Sequence, residues 1–236
     1  MTGAAGWHVV IPVKPATVGK SRLAVPGVDR VALARAIARD TVAAAARSTR
    51  VAEAVVVTAD GPWPDLDARA PEIPRETDRK APTDPEFAGS PAVRFVAESA
   101  PSGLDAAIRT GLATLDPGHP RAVLLGDLPA LRPSDLDAAL ALAEDVPRGL
   151  VPDAEGTGST LVTALPGVAL EPAFGDNSAA RHRELGHADL DVQPGSTLRR
   201  DVDTLPQLHD AATLGLGPRT AALLASLTPA EGTSAP

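Results

Sequence analysis

A doubly wound, single-domain α/β fold with a mostly parallel sheet flanked by helices is what the sequence predicts, on three observations. Short runs of β-branched residues alternate with Ala- and Leu-rich stretches at helical spacing. The chain opens in the order strand, loop, helix, strand, which favours parallel pairing through right-handed crossovers. Its 236 residues suffice for one large domain, and a chain of that size buries roughly 70% or more of its unfolded surface.

Trp7 to Val13 is apolar, β-branched and bounded by Lys14-Pro15, so it reads as a buried strand. Val28 to Ser48 lacks Gly and Pro and places Leu33 and Ile37 on one face, away from Arg35, Arg39 and Arg47; it reads as an amphipathic helix. Ala54 to Thr58 is the next strand. Residues 59–92 then hold seven prolines without a clear period, and a structureless loop of that length is unusual inside a compact domain. Two readings stand open for it, a surface excursion and a lid over the active site. Regular order resumes with a strand at Ala92 to Ala97, a helix at Gly103 to Leu115, a strand at Ala122 to Leu125 and a helix at Pro133 to Ala143. Strands follow at Gly149 to Pro152 and Ser159 to Ala164, a helix at Ser178 to Leu185 and a strand at Ala188 to Val192. Helices at Leu205 to Ala212 and Pro218 to Leu227 complete a domain spanning 1–227, and 228–236 reads as a disordered tail.

Composition narrows the function. Hydrophobic residues make up 44% of the chain but aromatic ones only 2%, so Ala, Val and Leu must build the core. With no cysteine, disulfides and thiolate metal sites are excluded, and a reducing cytoplasm suits the chain. A net charge of -8 argues against an extended nucleic-acid surface, which needs a cationic stripe. It leaves room for one anionic ligand on a local basic cluster. No apolar run is long enough to span a membrane, and the first residues lack the pattern of a signal peptide.

Four segments carry candidate chemistry. The loop after the first strand places Lys14, Lys20 and Arg22 within nine residues, beside Gly19. Such a turn can bind phosphate through backbone N–H groups and cations, or it is a solvated basic loop. Gly19-Lys20-Ser21 looks like the end of a P-loop, but Lys14 stands where that motif needs Gly. Asp127, in Leu124-Leu125-Gly126-Asp127-Leu128-Pro129, follows a strand directly and so belongs at the sheet's carboxyl edge, the ligand-binding edge of this fold class. If their segment is extended, Asp201 and Asp203 project on the same side, and hard carboxylate oxygens favour Mg²⁺ or Mn²⁺; capping of the next helix by Asp203 or Thr204 is the alternative. Gly156-Thr157-Gly158-Ser159-Thr160 and Phe174-Gly175-Asp176-Asn177-Ser178 are small, polar segments that suit either ordinary turns or close approach to an anion. His182 and His187 lie five apart, off a common helical face, and no G-x-S-x-G elbow is present.

In this order the segments VVIPVKPATVGKSRLA, Arg30 with Leu33 and Asp40, SGLDAAIRTGL, LLGDLPAL, VPDAEGTGSTL, AFGDNSAARH and RRDVDTLPQL resemble the guanylyltransferases of coenzyme F(420) biosynthesis. Those enzymes act on 2-phospho-L-lactate or phosphoenolpyruvate, and their fold is similar to that of sugar- and molybdopterin-nucleotide transferases. The resemblance implies GTP and a phosphorylated three-carbon acid as substrates and Mg²⁺ (or Mn²⁺) as cofactor. A homodimer and a downstream transferase are the protein partners it implies. It assigns Lys14, Lys20 and Arg22 to the GTP phosphates and catalysis. Pro12, Val13, Gly103 and Asp105 fall to the rest of the nucleotide, Asp127, Asp201 and Asp203 to the metal, and Thr160, Gly175 and Ser178 to the acceptor acid. Asp105 is a departure, standing where the family usually has Asn; a carboxylate can still pair with the N1–H and 2-amino edge of guanine. Other nucleotidyl- or glycosyltransferases of this fold, or an inactive GTP-binding homologue, are the competing readings.

Overall fold

The computed structural model describes residues 6–17, 22–63, 66, 92–98 and 102–226. Most of the Pro-rich stretch at 59–92 and the tail at 228–236 lie outside the described residues, so neither reading of the first is tested. In chain order the elements are β1 (Trp7–Val13), α1 (Arg30–Ala45), β2 (Val51–Thr58), β3 (Ala92–Ala97), α2 (Leu104–Leu112), β4 (Arg121–Leu124), α3 (Pro133–Leu142), β5 (Arg148–Pro152), β6 (Ser159–Ala164), α4 (Ser178–Glu184), β7 (Ala188–Asp189), α5 (Leu205–Leu214) and α6 (Pro218–Ala225). A short 3₁₀ turn at Thr197–Arg199, which the sequence reading missed, precedes α5.

The strands form one sheet in the order β3-β2-β1-β4-β6-β5-β7. β1 pairs parallel with both β2 and β4, so the chain first winds outward through β2 and β3 and then returns to the other side of β1. That reversal opens a crevice at the carboxyl ends of β1 and β4. Only β6 runs against the rest, antiparallel to β4 and to β5. β5 and β6 are a hairpin, and its turn at residues 153–158 lies on the same carboxyl edge.

Alternation along the strands splits the core into two layers. Val9, Ile11, Ala54 and Val56 face α1 and α3 through Val42, Leu136 and Leu140. Val10, Val55 and Val57 face α2 and the segment around α4 through Ile108, Phe174 and Ala179. Gly111 is needed here: a Cβ on it would stand 2.6 Å from Val10 Cγ1 and 2.8 Å from Val57 Cγ2. A third cluster joins Leu23, Leu33 and Ile37 to Val202, Leu208 and Ala211 of the C-terminal segment.

Side-chain caps set several boundaries. α1 starts at Arg30 rather than Val28 because the Asp29 carboxylate accepts from the Ala32 N–H at 2.7 Å, satisfying one of the helix's first amides. Asp40, within α1, caps a different helix. It is 4% exposed and accepts from the N–H groups of Arg219 (3.1 Å) and Thr220 (2.7 Å) in the first turn of α6. Gly217 makes that approach possible, since its Cβ would lie 2.5 Å from Asp40 Cγ. β7 is shorter than the strand expected at Ala188 to Val192, because the Val192 N–H turns back to the Leu190 carbonyl at 2.7 Å. That γ-turn ends the ladder. No helix among the described residues is long and apolar enough to cross a membrane.

Candidate active site

A cleft of about 380 Å³ opens at the carboxyl edge where β1 and β4 diverge. Pro12, Val13 and Lys14 line it from the end of β1, and Leu125, Gly126 and Asp127 from the end of β4. Gly126 lets the two loops meet, since a Cβ there would lie 3.0 Å from the Pro12 carbonyl oxygen.

Asp127 is fixed from two sides. The next residue's amide, Leu128 N–H, donates to Thr41 Oγ1 of α1 at 3.0 Å, and the Asp127 carbonyl accepts from Val202 N–H at 3.1 Å. That second bond brings the distant 201–203 segment to the sheet edge. Val202 is fully buried in the third cluster, so its extended neighbours Asp201 and Asp203 turn to the other side, and both line the cleft. One carboxylate oxygen each of Asp127 and Asp201 is shut off from solvent. Capping of α5 falls to its own residues: the N–H of Thr204 donates to Gln207 Oε1 at 3.0 Å, which leaves the Asp203 carboxylate for the cleft.

Lys14 and Arg22 bring positive charge to the same space. Arg22 Nη2 donates to Asp203 Oδ2 at 3.0 Å across 181 residues of sequence. Their side chains are 74% and 42% exposed, and ion pairs of that kind contribute little to stability, so ligands can replace either partner at small cost. Arg30 Nη2 donates to the Thr17 carbonyl at 3.0 Å and holds the basic loop against α1. Lys20 lies outside the described residues.

The opposite wall is the β5–β6 turn, and it contains a carboxylate that sequence reasoning missed. Asp153 is 8% exposed and accepts from the N–H groups of Thr157 (2.9 Å) and Gly158 (2.7 Å). Gly158 must lack a side chain, because a Cβ would collide with Asp153 Oδ2. The readable signal was an Asp opening a Gly-rich polar turn, a residue type that folds turns by accepting from nearby backbone amides. Among the described residues, oxygens of Asp153, Glu155 and Asp201 all lie within 4.8 Å of one another. The acidic edge of the cleft therefore extends beyond the expected trio Asp127, Asp201 and Asp203 to Asp153, and the donor set is hard oxygen, suited to a divalent cation such as Mg²⁺ or Mn²⁺.

The expected acceptor residues divide. Gly175 and Ser178 line the cleft; Gly175 has φ 106° and Asn177 φ 55°, a left-handed pair of residues that turns the chain sharply into α4. Thr160 is fully buried and its hydroxyl donates to the Val151 carbonyl at 3.3 Å; the β6 residue that lines the cleft is Ser159. Asp105 Oδ1 accepts from Phe174 N–H at 3.0 Å, tying the start of α2 to the Gly175 loop. Gly103 adopts φ 111° just before α2, and Leu104 beside it lines the cleft.

His182, which the sequence left unassigned, sits beneath this wall. It is fully buried, accepts the Ala173 N–H on Nε2 at 3.1 Å and meets Ser159 Oγ through Nδ1 at 2.8 Å. Burial, with the nearby His187 and Arg181, pushes its pKa down to about 4. Burial likewise lowers that of His187, whose Nδ1 lies 3.0 Å from the Gly149 carbonyl. His182 is therefore neutral at physiological pH.

No family model matches the chain. Among curated proteins, it is 45% identical to a phosphoenolpyruvate guanylyltransferase of Streptomyces scabiei over 226 residues, covering 94% of this chain and 97% of that one. It is 44% identical to one of Salinispora arenicola over 232 residues, covering 97% and 98%. The fold is similar to that of a candidate nucleotide-diphospho-sugar transferase from Desulfovibrio desulfuricans (TM-score 0.57, 17% identity, 93% of this chain and 94% of that one). It is also similar to a nucleotidyl transferase from Methanothermobacter (TM-score 0.50, 19% identity, 90% and 98%). With identity at this level over nearly the whole length, the chain belongs to the phosphoenolpyruvate guanylyltransferase family.

Proposed function

We propose that the chain is a Mg²⁺-dependent guanylyltransferase that joins GTP to phosphoenolpyruvate, or to 2-phospho-L-lactate, in coenzyme F(420) biosynthesis in the cytoplasm. The observation that carries this reading is the meeting, in one cleft, of Asp127, Asp201 and Asp203 with Lys14 and Arg22. Family membership supports the choice of nucleotide and acid.

In the reaction, a phosphate oxygen of the acid attacks the α-phosphorus of GTP. A new P–O bond forms, the bond to the bridging oxygen between the α- and β-phosphorus breaks, and pyrophosphate leaves with that electron pair. The attacking oxygen is already anionic at neutral pH, so no general base is needed, and the neutral, buried His182 is not asked to be one. What the protein must do is hold two anions together in line. Lys14, Lys20 and Arg22 neutralise the triphosphate, with Arg22 exchanging Asp203 for a phosphate oxygen. Asp127, Asp201 and Asp203 would hold the Mg²⁺, and Asp153 shapes the wall of the cleft next to Asp201. Bound there, the ion supplies charge neutralisation for the transferring phosphoryl group. Pro12, Val13, Gly103 and Asp105 border the nucleoside, while Gly175 and Ser178 contact the acid together with the 158–160 segment. Asp105 serves the base indirectly, because one of its oxygens already holds the Phe174 amide.

Pyrophosphate release tests the reading directly, with GTP, ATP, CTP and UTP each crossed against phosphoenolpyruvate and 2-phospho-L-lactate in Mg²⁺. Release confined to GTP and one acid is expected; release with no pair from folded protein would reject it. Asp127→Ala and Asp203→Ala should each lower turnover about a hundredfold or more, the scale on which single electrostatic contacts to a transition state act. Near-normal turnover in either would remove that residue from the metal site.

A further inference from the structure

The hydroxyl of Ser159 is oriented by a histidine whose own tautomer the backbone dictates. An amide can only donate, so the Ala173 N–H fixes His182 Nε2 as an acceptor at 3.1 Å. In a neutral imidazole the single proton then resides on Nδ1. Nδ1–H then faces Ser159 Oγ at 2.8 Å, with the Ser178 carbonyl as a second acceptor for the ring; a protonated Nδ1 cannot accept from the Ser159 hydroxyl, whose proton is left to be given elsewhere. No protein acceptor takes that proton among the described residues, while Ser159 lines the cleft.

The surroundings make this a built arrangement. Ser159 is 2% exposed and His182 0%, the Phe174 ring packs edge-on against His182 with centroids 4.8 Å apart, and Phe174 itself lines the cleft beside Gly175. The hydroxyl cannot rotate to donate back to His182 without placing two hydrogens on one contact. A hydroxyl that meets a buried donor, keeps its own proton to give, and belongs to a residue lining an otherwise polar cleft fits an anionic oxygen.

We propose that Ser159 donates a hydrogen bond to a carboxylate or phosphate oxygen of the phosphorylated acid, and that His182 is the positioning residue that aims it. This rests on the guanylyltransferase reading for the identity of the acid.

Titration calorimetry on the full chain with Mg²⁺ tests it, with phosphoenolpyruvate and GTP measured separately and melting temperature as the check on folding. Ser159→Ala should weaken phosphoenolpyruvate binding about ten- to a hundredfold, the range of a hydrogen bond to a charged group, with GTP affinity within about twofold. Ser159→Cys, close in volume but a weaker donor, should fall between, and it serves if alanine lowers the melting temperature. His182→Asn, whose amide can reproduce the Nδ1–H donor, should stay near the native affinity, whereas His182→Phe should match Ser159→Ala. Native-like phosphoenolpyruvate binding by folded Ser159→Ala would overturn the inference alone. Equal loss of both ligands in His182→Asn and His182→Phe would reduce His182 to a residue of the fold and overturn its positioning role. A native chain that binds neither ligand would bring down the guanylyltransferase reading and this inference with it.

Discussion

At the scale of single residues, the site depends on side chains whose backbone obligations are met by someone else. Asp203 reaches the cleft because Thr204 and Gln207 close the start of α5, and Asp201 reaches it because Val202 between them is buried. Asp40 shows the opposite arrangement. It belongs to a stretch that resembles the family's first helix, yet its carboxylate is spent on two amides of α6. Asp40→Ala should therefore lower stability by about 1–2 kcal/mol, the usual cost of losing a helix cap, and leave the pyrophosphate-release rate within about twofold. A urea melt and the release assay check it together; a large fall in rate at unchanged stability would place Asp40 in the catalytic machinery instead.

At the scale of elements, the cleft depends on how closely α2 and the β5–β6 hairpin approach their neighbours. α2 lies on the sheet through Gly111, where no side chain fits above Val10 and Val57. Gly111→Ala should push the helix outward and destabilise the chain by about 1–3 kcal/mol, as overpacking of a filled core does, lowering the melting temperature by roughly 2–4 °C per kcal/mol at this size. Since Asp105 on α2 is bonded to the Gly175 loop, acceptor KM should rise as well, and an unchanged KM would argue that the loop holds its place without α2. The strands were legible in sequence as β-branched runs, with β1, β3 and β6 at the limits expected. The reversal of β6 was not, because a run of apolar residues carries no direction.

At the scale of the whole molecule, two buried histidines link folding to pH. The pKa of His182 is about 4 in the folded chain against 6.5 for an ordinary histidine, chiefly through burial, and that of His187 is also lowered. A depressed folded value means that the unfolded chain binds the proton more readily. Stability from these groups is then complete above about pH 6.5 and is lost as the pH falls through the folded values. A series of denaturant melts between pH 7 and 4 should show that decline, and His182→Asn should flatten it; an identical slope in the variant would remove His182 as its source, because a carboxylate such as Asp137, whose pKa is lowered against the pull of burial by bonds to Ser48 and the Thr49 and Arg50 amides, gives up its contribution only below this range.

What the sequence determined by itself is the class of the fold, the order of its elements and the chemical inventory of the site: cations after β1, Asp127 after β4, and the Asp201–Asp203 pair. These are local properties, since period, turn chemistry and residue type can be read without knowing what lies across the sheet. Tertiary structure alone decided which of those groups share one space. The Val202 amide on the Asp127 carbonyl brings together segments more than seventy residues apart, Asp153 joins the acidic edge through a turn that its own carboxylate folds, and β6 presents Ser159 rather than Thr160 to the cleft. Such choices depend on register and on hydrogen bonds between residues distant in sequence, and local sequence pattern does not encode either.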